Sequence, residues 1–258
     1  ALESEPGLLG YFYAGDKYPS SAISDSNNGD IIYLTTNQSS GYQGENMCAT
    51  MAHEFQHMIY FDEHARRGVT STYTWLNEAL SQAAEYYNGY LQDHNNWIRA
   101  FLNPNPDPNN YNPGWFGLSL THWSQNNYGY GAIFIRYLID QYGDNAIKEM
   151  CATNKVGIAA VEAATGTDFN TIFVNFTRAL VLSGTSSDPK YNFKSLNLKV
   201  IQPSGRQGLT TPFEYGPGDS DSSELWPYEI NFDSWTGSFN AVKLSGDYQV
   251  GTIFGLSQ

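Results

Sequence analysis

The segment ATMAHEFQHMIYF, from Ala49 to Phe61, places two histidines four residues apart, with a glutamate directly after the first. Residues four apart lie on the same face of a helix, so the imidazoles of His53 and His57 can bind one metal ion. Glu54 lies about 100° further around the helix, near enough to take a proton from a water on that metal. The pattern predicts a zinc centre, and the competing interpretation is two histidines on one side of an amphipathic helix.

A catalytic zinc usually has three protein ligands, so a third ligand has to come from elsewhere in the chain. One known continuation of the motif needs a glycine three residues and a histidine six residues after the second histidine, but Tyr60 and Glu63 stand there. The other solution is a glutamate from a later helix, and WLNEALSQAAE supplies Glu78 and Glu85. These two lie about 10 Å apart along a helix axis, so only one of them can be a ligand.

The order of three motifs resembles a known family of peptidases. H-E-x-x-H is followed by NEALS, whose glutamate comes twenty-one residues after the second histidine, and this pattern resembles the gluzincins, the thermolysin-like zinc peptidases. HEFQHMIYF, WLNEALSQAAEYY and YGYGAIFIRYLIDQYG together look most like the hyicolysin-type bacterial neutral metallopeptidases. The resemblance covers Gly10 to Gly184, including the helical end GIAAVEAATGTDFNTIFVNFTRAL.

The resemblance implies a metal site and an activity. It assigns one catalytic Zn²⁺ to His53, His57 and Glu78, with Glu54 as the general base. The zinc would lower the pKa of its water toward about 7 and polarise the scissile carbonyl, while the base carries the proton to the leaving amine. The implied protein is a secreted zinc-dependent endopeptidase that acts on protein or peptide substrates.

Three further expectations follow from the same resemblance. The Y-x-x-G-A signature gives Tyr128 the role of stabilising the oxyanion, with Tyr130 as the reserve candidate. Thermolysin has an acidic residue four positions after the ligand glutamate to orient a histidine, whereas Gln82 stands here. Either its amide oxygen, Glu85 or another residue takes that bond. The edge strand that would receive an extended substrate is expected in DIIYLTT, residues 30–36.

Composition restricts the partners. The chain has 258 residues, 13 basic and 26 acidic, with a formal net charge of −13, so nucleic acid and anionic membranes are poor partners. No apolar run reaches the roughly 18 residues of a membrane span. Only 15% of residues are charged, a surface style typical of exported bacterial proteins, and we expect a secreted monomer. Cys48 and Cys151 either form a disulfide or remain buried thiols.

Periodicity predicts an α+β fold. The first forty residues predict two or more strands with Asn28 and Gly29 in the connecting turn. Two helices should follow, each with an apolar side directed to the core. The first side, called the apolar stripe below, consists of Met47, Met51, Phe55 and Ile59. The second consists of Leu76, Leu80, Ala83 and Tyr87.

The rest of the chain divides into a loop, a helical lobe and a β-rich end. A long loop is expected at residues 102–114, then a helix ending at Gly143 and two more helices, the last capped by Thr167. Short strands are expected after Ser186. The predicted fold is therefore that of a gluzincin, with an N-terminal β-sheet, an active-site helix and a helical lobe. We expect a catalytic domain at 1–185 and a small β-rich segment at 186–258.

Several residues favour structural over chemical roles. His64, His94 and His122 have no partner motif, so packing is the expected role of each. The acidic stretch GDSDSSE, residues 218–224, lacks the spacing of a calcium loop, so a Ca²⁺ site there is unsupported and a solvated turn is expected.

Two other functions compete with endopeptidase activity. A gluzincin aminopeptidase normally needs a G-x-M-E-N motif, which the sequence lacks. A non-catalytic surface binding module that keeps zinc for structure alone would not need Glu54 or an oxyanion tyrosine, and both are present.

Overall fold

The computed structural model describes residues 8–35, 44–70, 74–102, 118–124, 127–198, 213–215, 227–230 and 233–235. Its helices are α1 (Glu45–Ala65), α2 (Thr74–Tyr87), α3 (Leu91–Leu102), α4 (Tyr128–Cys151), α5 (Ile158–Thr165) and α6 (Phe169–Leu182). Its strands are β1 (Gly10–Phe12), β2 (Ile32–Leu34), β3 (Phe213–Tyr215) and β4 (Asp233–Trp235). The described chain is a helix-dominated α+β protein, as predicted at this coarse level.

The predicted N-terminal strands are present as an antiparallel pair. β1 and β2 pair with Tyr11 opposite Tyr33, and their rings stack with centroids 4.5 Å apart. Asn28, in the connection between them, has a φ of 55°, a left-handed conformation that asparagine tolerates better than most residues. β3 and β4 form a separate parallel pair.

Helix α4 packs against both α2 and α3, and one of its glycines is needed for the contact with α3. A Cβ on Gly129 would lie 2.2 Å from the carbonyl oxygen of Trp97, so α3 can pack here only against a residue without a side chain. A Cβ on Gly131 would lie 3.5 Å from Ala79 of α2, an ordinary contact. The backbone of α4 therefore approaches both neighbouring helices, and its first turn lies next to α2.

Helix α1 contradicts the predicted direction of its apolar stripe. The four stripe residues are 38–50% exposed, whereas His53 and Glu54 are each 7% exposed. The opposite side of the helix is the one that packs, mainly against α2 and also against β1 and β2. On that side His53 and Gln56 form hydrogen bonds with side chains of α2. These bonds offset the free-energy cost of burying the two polar groups. In α2 the apolar side is buried as predicted at Leu76, Leu80 and Ala83, but Tyr87 is 46% exposed.

Other helix predictions need smaller corrections. Gly143 interrupts α4 as predicted, with φ 79° and ψ 175°, and the helix predicted in DNAIKEMCATN is the second segment of α4, which ends at Cys151. The N-cap of α6 is Asp168 rather than Thr167, because the Asp168 carboxylate accepts the backbone N–H of Thr171. Helix α3, which directly precedes a Pro/Asn-rich stretch, was not predicted.

Part of the C-terminal region packs on the helical lobe. Phe193, Leu196, Leu198 and Ile230 are 3–7% exposed and belong to the same core as the helices. Tyr228 lies against α6, with its ring centroid 5.1 Å from that of Phe173. Most of the predicted β-rich segment, the predicted loop beyond residue 102 and the acidic stretch 218–224 lie outside the described residues. The domain boundary at 185 stays a prediction.

Two further sequence questions concern the cysteines and the membrane. Cys48 and Cys151 are both free thiols, so the expected alternative of a disulfide is not formed in this structure. Burial raises the pKa of Cys151 to about 11, so this thiol is protonated at neutral pH. Among the helices of the described chain, none has the length and apolar character that a membrane span requires.

Candidate metal centre

Helices α1 and α2 bring the two motif histidines and the first candidate glutamate together. Glu78 Oε2 lies 3.1 Å from His53 Nε2 and 3.5 Å from His57 Nε2. The three side chains form the one group in the described residues whose nitrogen and oxygen atoms converge closely enough to hold a metal ion. Each histidine presents the same ring nitrogen to the carboxylate, because positions four apart on α1 point in the same direction.

The second candidate glutamate lies on the other side of the His53 ring. Glu85 Oε1 is 2.8 Å from His53 Nδ1, so this carboxylate contacts the nitrogen that faces away from Glu78. Gln82 Nε2 donates to the same Glu85 oxygen at 2.7 Å. Of the alternatives left open by the sequence, Glu85 takes the bond to the histidine, and Gln82 supports it.

The charges of this cluster are strongly coupled. Burial opposes the charged form of His53, but hydrogen bonds and negative charge from Glu78 and Glu85 outweigh it and raise its pKa to about 10. Burial likewise opposes ionisation of Glu78, but hydrogen bonds from His53 and His57 lower its pKa to about 2. The site therefore holds a carboxylate between two imidazoles and strongly attracts positive charge.

Glu54 borders the same cluster without joining it. Its side chain is buried, and burial raises its pKa, although the neighbouring charges of His53 and His57 and a backbone hydrogen bond from Phe12 act in the opposite direction. A raised pKa makes this carboxylate a stronger proton acceptor than an ordinary glutamate. Glu54 therefore lines the same cleft as the two histidines, and its role as proton carrier stays a prediction.

The two candidate tyrosines occupy different places. Tyr128, the first residue of α4, has its ring centroid 5.9 Å from that of His53, and its hydroxyl lies near the Glu78 carboxylate. Burial and the nearby carboxylates raise its pKa, so the hydroxyl stays a donor. Tyr130 is fully buried in the core, and its hydroxyl donates to the Tyr228 carbonyl at 3.1 Å. Only the first of these tyrosines lies at the site.

An open cleft of about 310 Å³ gives access to this cluster. Its lining consists of β1, the motif residues of α1, the start of α2 and Tyr128: Gly10, Tyr11, Phe12, His53, Glu54, His57, Asn77, Glu78 and Tyr128. The strand at the cleft is therefore β1, not the predicted segment 30–36 that contains β2. Gly10 allows β1 to lie this close to α1, since a Cβ there would lie 2.8 Å from Thr50.

No protein-family model matches this chain, and no curated protein matches it. The resemblance to gluzincins therefore rests on the motif residues, their order and the geometry described above.

The remaining histidines lie outside the cluster. His64 is 1% exposed, and its ring nitrogens contact the carbonyl oxygens of Tyr60 at 2.9 Å and Lys155 at 3.2 Å. His94 is fully buried beside Tyr86, and His122 is exposed and does not line the cleft. The first two have the packing positions that the sequence predicted.

Two residues near the site had not been singled out in the sequence. Ser81 Oγ lies 3.1 Å from His57 Nδ1 and 2.5 Å from the side-chain oxygen of Gln56. The signal was available, because Ser81 stands three residues after Glu78 and Gln56 lies inside the histidine motif. Helical spacing alone does not say which polar neighbours turn toward a ring nitrogen.

Proposed function

We propose that this protein is a secreted zinc-dependent endopeptidase with a gluzincin-type fold and active site. The observation that supports this function best is the convergence of His53, His57 and Glu78 in one cleft with Glu54 and Tyr128 beside them. Imidazole nitrogens, a carboxylate oxygen and a further carboxylate nearby are the donor set of catalytic zinc sites in peptidases. The export of the protein is supported by its composition alone.

The spacing of the donor atoms suits zinc. Two ligands that each lie about 2.0–2.1 Å from a tetrahedral ion are about 3.3–3.4 Å apart. Glu78 Oε2 is 3.1 and 3.5 Å from the two Nε2 atoms, close to that separation. The negative charge that raises the His53 pKa would equally favour a divalent cation, which replaces the proton on Nε2. His53, His57 and Glu78 would therefore hold the ion.

Zinc, Glu54 and Tyr128 would each have a separate role in peptide hydrolysis. Zinc, when bound, supplies a water of lowered pKa and a Lewis acid for the substrate carbonyl. Glu54 accepts the proton of the attacking water on its carboxylate and delivers it to the leaving amine nitrogen. The Tyr128 hydroxyl donates a hydrogen bond to the oxygen that becomes negatively charged as the carbonyl is attacked.

The cleft favours internal cleavage of an extended peptide. β1 lines it beside Glu54, so a substrate strand can run along β1 with its scissile bond over the metal cluster. An enzyme restricted to amino termini needs a group that closes the cleft and binds the substrate ammonium. Among the described residues that line this cleft none forms such a closure, and its open form suits an endopeptidase.

The test is turnover of casein and of a peptide blocked at both ends. Wild-type protein loaded with zinc should cleave both, lose activity with a chelator and recover it on zinc addition. Glu54→Gln should bind one zinc per chain and lose about 10²–10⁴ in kcat, as expected for removal of a general base. Glu45→Gln, an exposed glutamate on the same helix, is the matched control and should keep full activity.

Three results would contradict this proposal. Glu54→Gln turning over at the wild-type rate would exclude the proton carrier. Cleavage of free but not blocked peptides would indicate an aminopeptidase. One bound zinc per chain with no turnover on any protein would indicate a binding module.

A further inference from the structure

Two indole rings pack against Tyr128, the tyrosine that lines the cleft. The Trp97 ring, from α3, has its centroid 4.9 Å from that of Tyr128. The Trp123 ring lies edge-on to the tyrosine, with centroids 5.1 Å apart and an angle of 88° between the ring planes. Trp123 belongs to residues 118–124, called the 118–124 segment below. The orientation of Tyr128 therefore depends on where that segment lies.

Asn127 connects the start of α4 to the 118–124 segment. It stands at the N-cap position of α4, where an asparagine side chain commonly accepts a backbone N–H of the first turn, but its side chain forms no such bond. Its Nδ2 instead donates to the backbone carbonyls of Ser119 and, at 3.4 Å, of His122. Its Oδ1 accepts from the Ser124 hydroxyl at 2.6 Å. Both polar atoms of this side chain thus bond the segment and not the helix.

Burial makes these bonds hard to replace. Asn127 is 1% exposed, so water cannot take the place of its protein partners. The 118–124 segment is also held from the C-terminal side of the chain. The Leu120 N–H donates to the Tyr228 carbonyl at 3.1 Å, and the Ser119 hydroxyl donates to the Pro227 carbonyl. The segment is therefore fixed both to the start of α4 and to residues that follow the helical lobe.

We propose that Asn127 is a positioning residue for peptide hydrolysis, because its amide holds the 118–124 segment where Trp123 packs against Tyr128. The Tyr128 ring centroid lies 5.9 Å from that of His53. A hydroxyl at the end of this ring moves whenever the ring turns, and a displacement of about 1 Å can cost about 10²-fold in rate. This inference rests on the proposed function, in which that hydroxyl donates to the developing oxyanion.

The kinetic test is a double-mutant cycle of Asn127→Ala and Tyr128→Phe. In the wild-type background, Asn127→Ala should lower kcat about 10- to 100-fold, with KM and zinc content nearly unchanged. In the Tyr128→Phe background, the same change should lower kcat less than about 2-fold, because the hydroxyl that it positions is already absent. An equal loss in both backgrounds would show that Asn127 acts on the fold or on another group, and would overturn the inference.

The second test does not depend on activity. In a ¹H–¹³C NMR spectrum, the Tyr128 ring signals are the tyrosine signals that are missing from Tyr128→Phe. The neighbouring indoles displace these signals through their ring currents, and Asn127→Ala should move them toward ordinary tyrosine positions. The ring signals of Tyr137, further along α4, should keep their shifts. Unchanged Tyr128 signals in a folded Asn127→Ala protein would also overturn the inference.

Two variants test the same contact without changing Asn127 itself. Trp123→Leu removes the ring that packs against Tyr128, so it should move the same NMR signals and lower kcat. Ser124→Ala removes an exposed hydroxyl that donates to Asn127, so it should fold and give a smaller change in the same direction. Tyr128 signals that stay in place in both variants would contradict the proposed contact, even if Asn127→Ala does not fold.

Asn88→Ala is the matched control. It removes an exposed asparagine near the end of α2, whose amide donates to the Ala84 carbonyl at 2.8 Å. This variant should change neither kcat nor the Tyr128 signals, and an effect as large as that of Asn127→Ala would remove the assigned role.

The outcomes separate this inference from the proposed function. If zinc-loaded wild-type protein cleaves no peptide, the proposed function fails, and the NMR comparison alone decides whether Asn127 holds Tyr128. If it cleaves peptides but the cycle is additive and the Tyr128 signals are unchanged, the positioning role is wrong and the peptidase stands.

Discussion

The two faces of helix α1 reverse the usual relation between polarity and burial. The stripe of Met47, Met51, Phe55 and Ile59 is 38–50% exposed. The opposite face, with its two histidines, Glu54, Gln56 and Tyr60, packs against α2 and the N-terminal strands. On the buried face His53 and Gln56 have side-chain partners on α2, through Glu78, Glu85 and Ser81.

The difference shows that hydrogen-bond partners decide which face of this helix is buried. A buried polar group without a partner costs free energy, and His53 and Gln56 have partners on α2, whereas the Tyr60 hydroxyl has none among the described residues. A face with this many polar groups contributes little apolar burial, as expected of a site with a chemical role. Exposed large apolar side chains on the other face lose the stability that their burial would bring.

The largest effect should come from removing the one carboxylate that both histidines contact. Glu78→Ala removes the carboxylate that both imidazoles contact. Only two protein ligands for zinc then remain, one fewer than catalytic sites use. We expect peptidase activity to fall to the level of the chelator-treated wild type. Metal analysis after dialysis should find far less than one zinc per chain, and full zinc occupancy would mean that the polar face is not the metal site.

A smaller effect should follow from changing Tyr128, which lines the cleft beside the metal ligands. Tyr128→Phe removes a hydroxyl that stays a donor because its pKa is raised, and it keeps the ring that packs against Trp97. We expect kcat to fall about 10²–10³-fold with zinc content and KM nearly unchanged. Tyr130→Phe is the control, since that hydroxyl lies in the core, and an equal loss in both variants would remove the assigned role.

The comparison of the two faces can be tested directly through stability. Tyr60 is fully buried and Phe55 is 50% exposed. Tyr60→Ala should therefore cost about 3–5 kcal/mol, as for other large buried aromatic side chains. Phe55→Ala should cost about 1 kcal/mol or less. Urea unfolding of both variants measures the difference, and a cost of several kcal/mol for Phe55→Ala would show that the apolar stripe is covered in solution.

His94, a buried histidine outside the metal centre, should make the stability of the protein depend on pH. Burial, and then the positive charge of Arg136, lower the pKa of His94 to about 3, and the nearby Gln82 backbone carbonyl opposes them only in part. The unfolded chain binds a proton here below about pH 6.5, while the folded chain does so only near pH 3. Stability should therefore fall as the pH falls through this window, by up to about 1.4 kcal/mol per pH unit.

His94→Gln removes this titration. The urea midpoint of the variant should decline less steeply than that of the wild type between pH 7 and pH 4. Parallel declines would mean that His94 does not resist protonation in the folded protein.

The sequence predicted best what depends on local spacing. The separation of His53 and His57 fixes them on one side of α1, and the two-strand start and most helices were predicted from periodicity. The exposed stripe at Phe55 was predicted wrongly, because a period of hydrophobicity carries no information on which neighbouring helix supplies partners. The sequence could not decide whether Glu85 or Gln82 contacts a histidine, or whether Tyr128 or Tyr130 lies at the site. Both outcomes depend on how the helices rotate and on contacts between helices far apart in sequence.

X-ray absorption at the zinc K-edge tests the central claim most directly, since it reports the ligands of any zinc that the purified protein retains. We expect one zinc per chain with two imidazole nitrogens at about 2.0–2.1 Å and carboxylate or water oxygens completing the coordination. In Glu78→Ala the retained zinc should disappear. Absence of zinc from the wild type after zinc loading, or sulfur ligands at about 2.3 Å from Cys48 or Cys151, would contradict it.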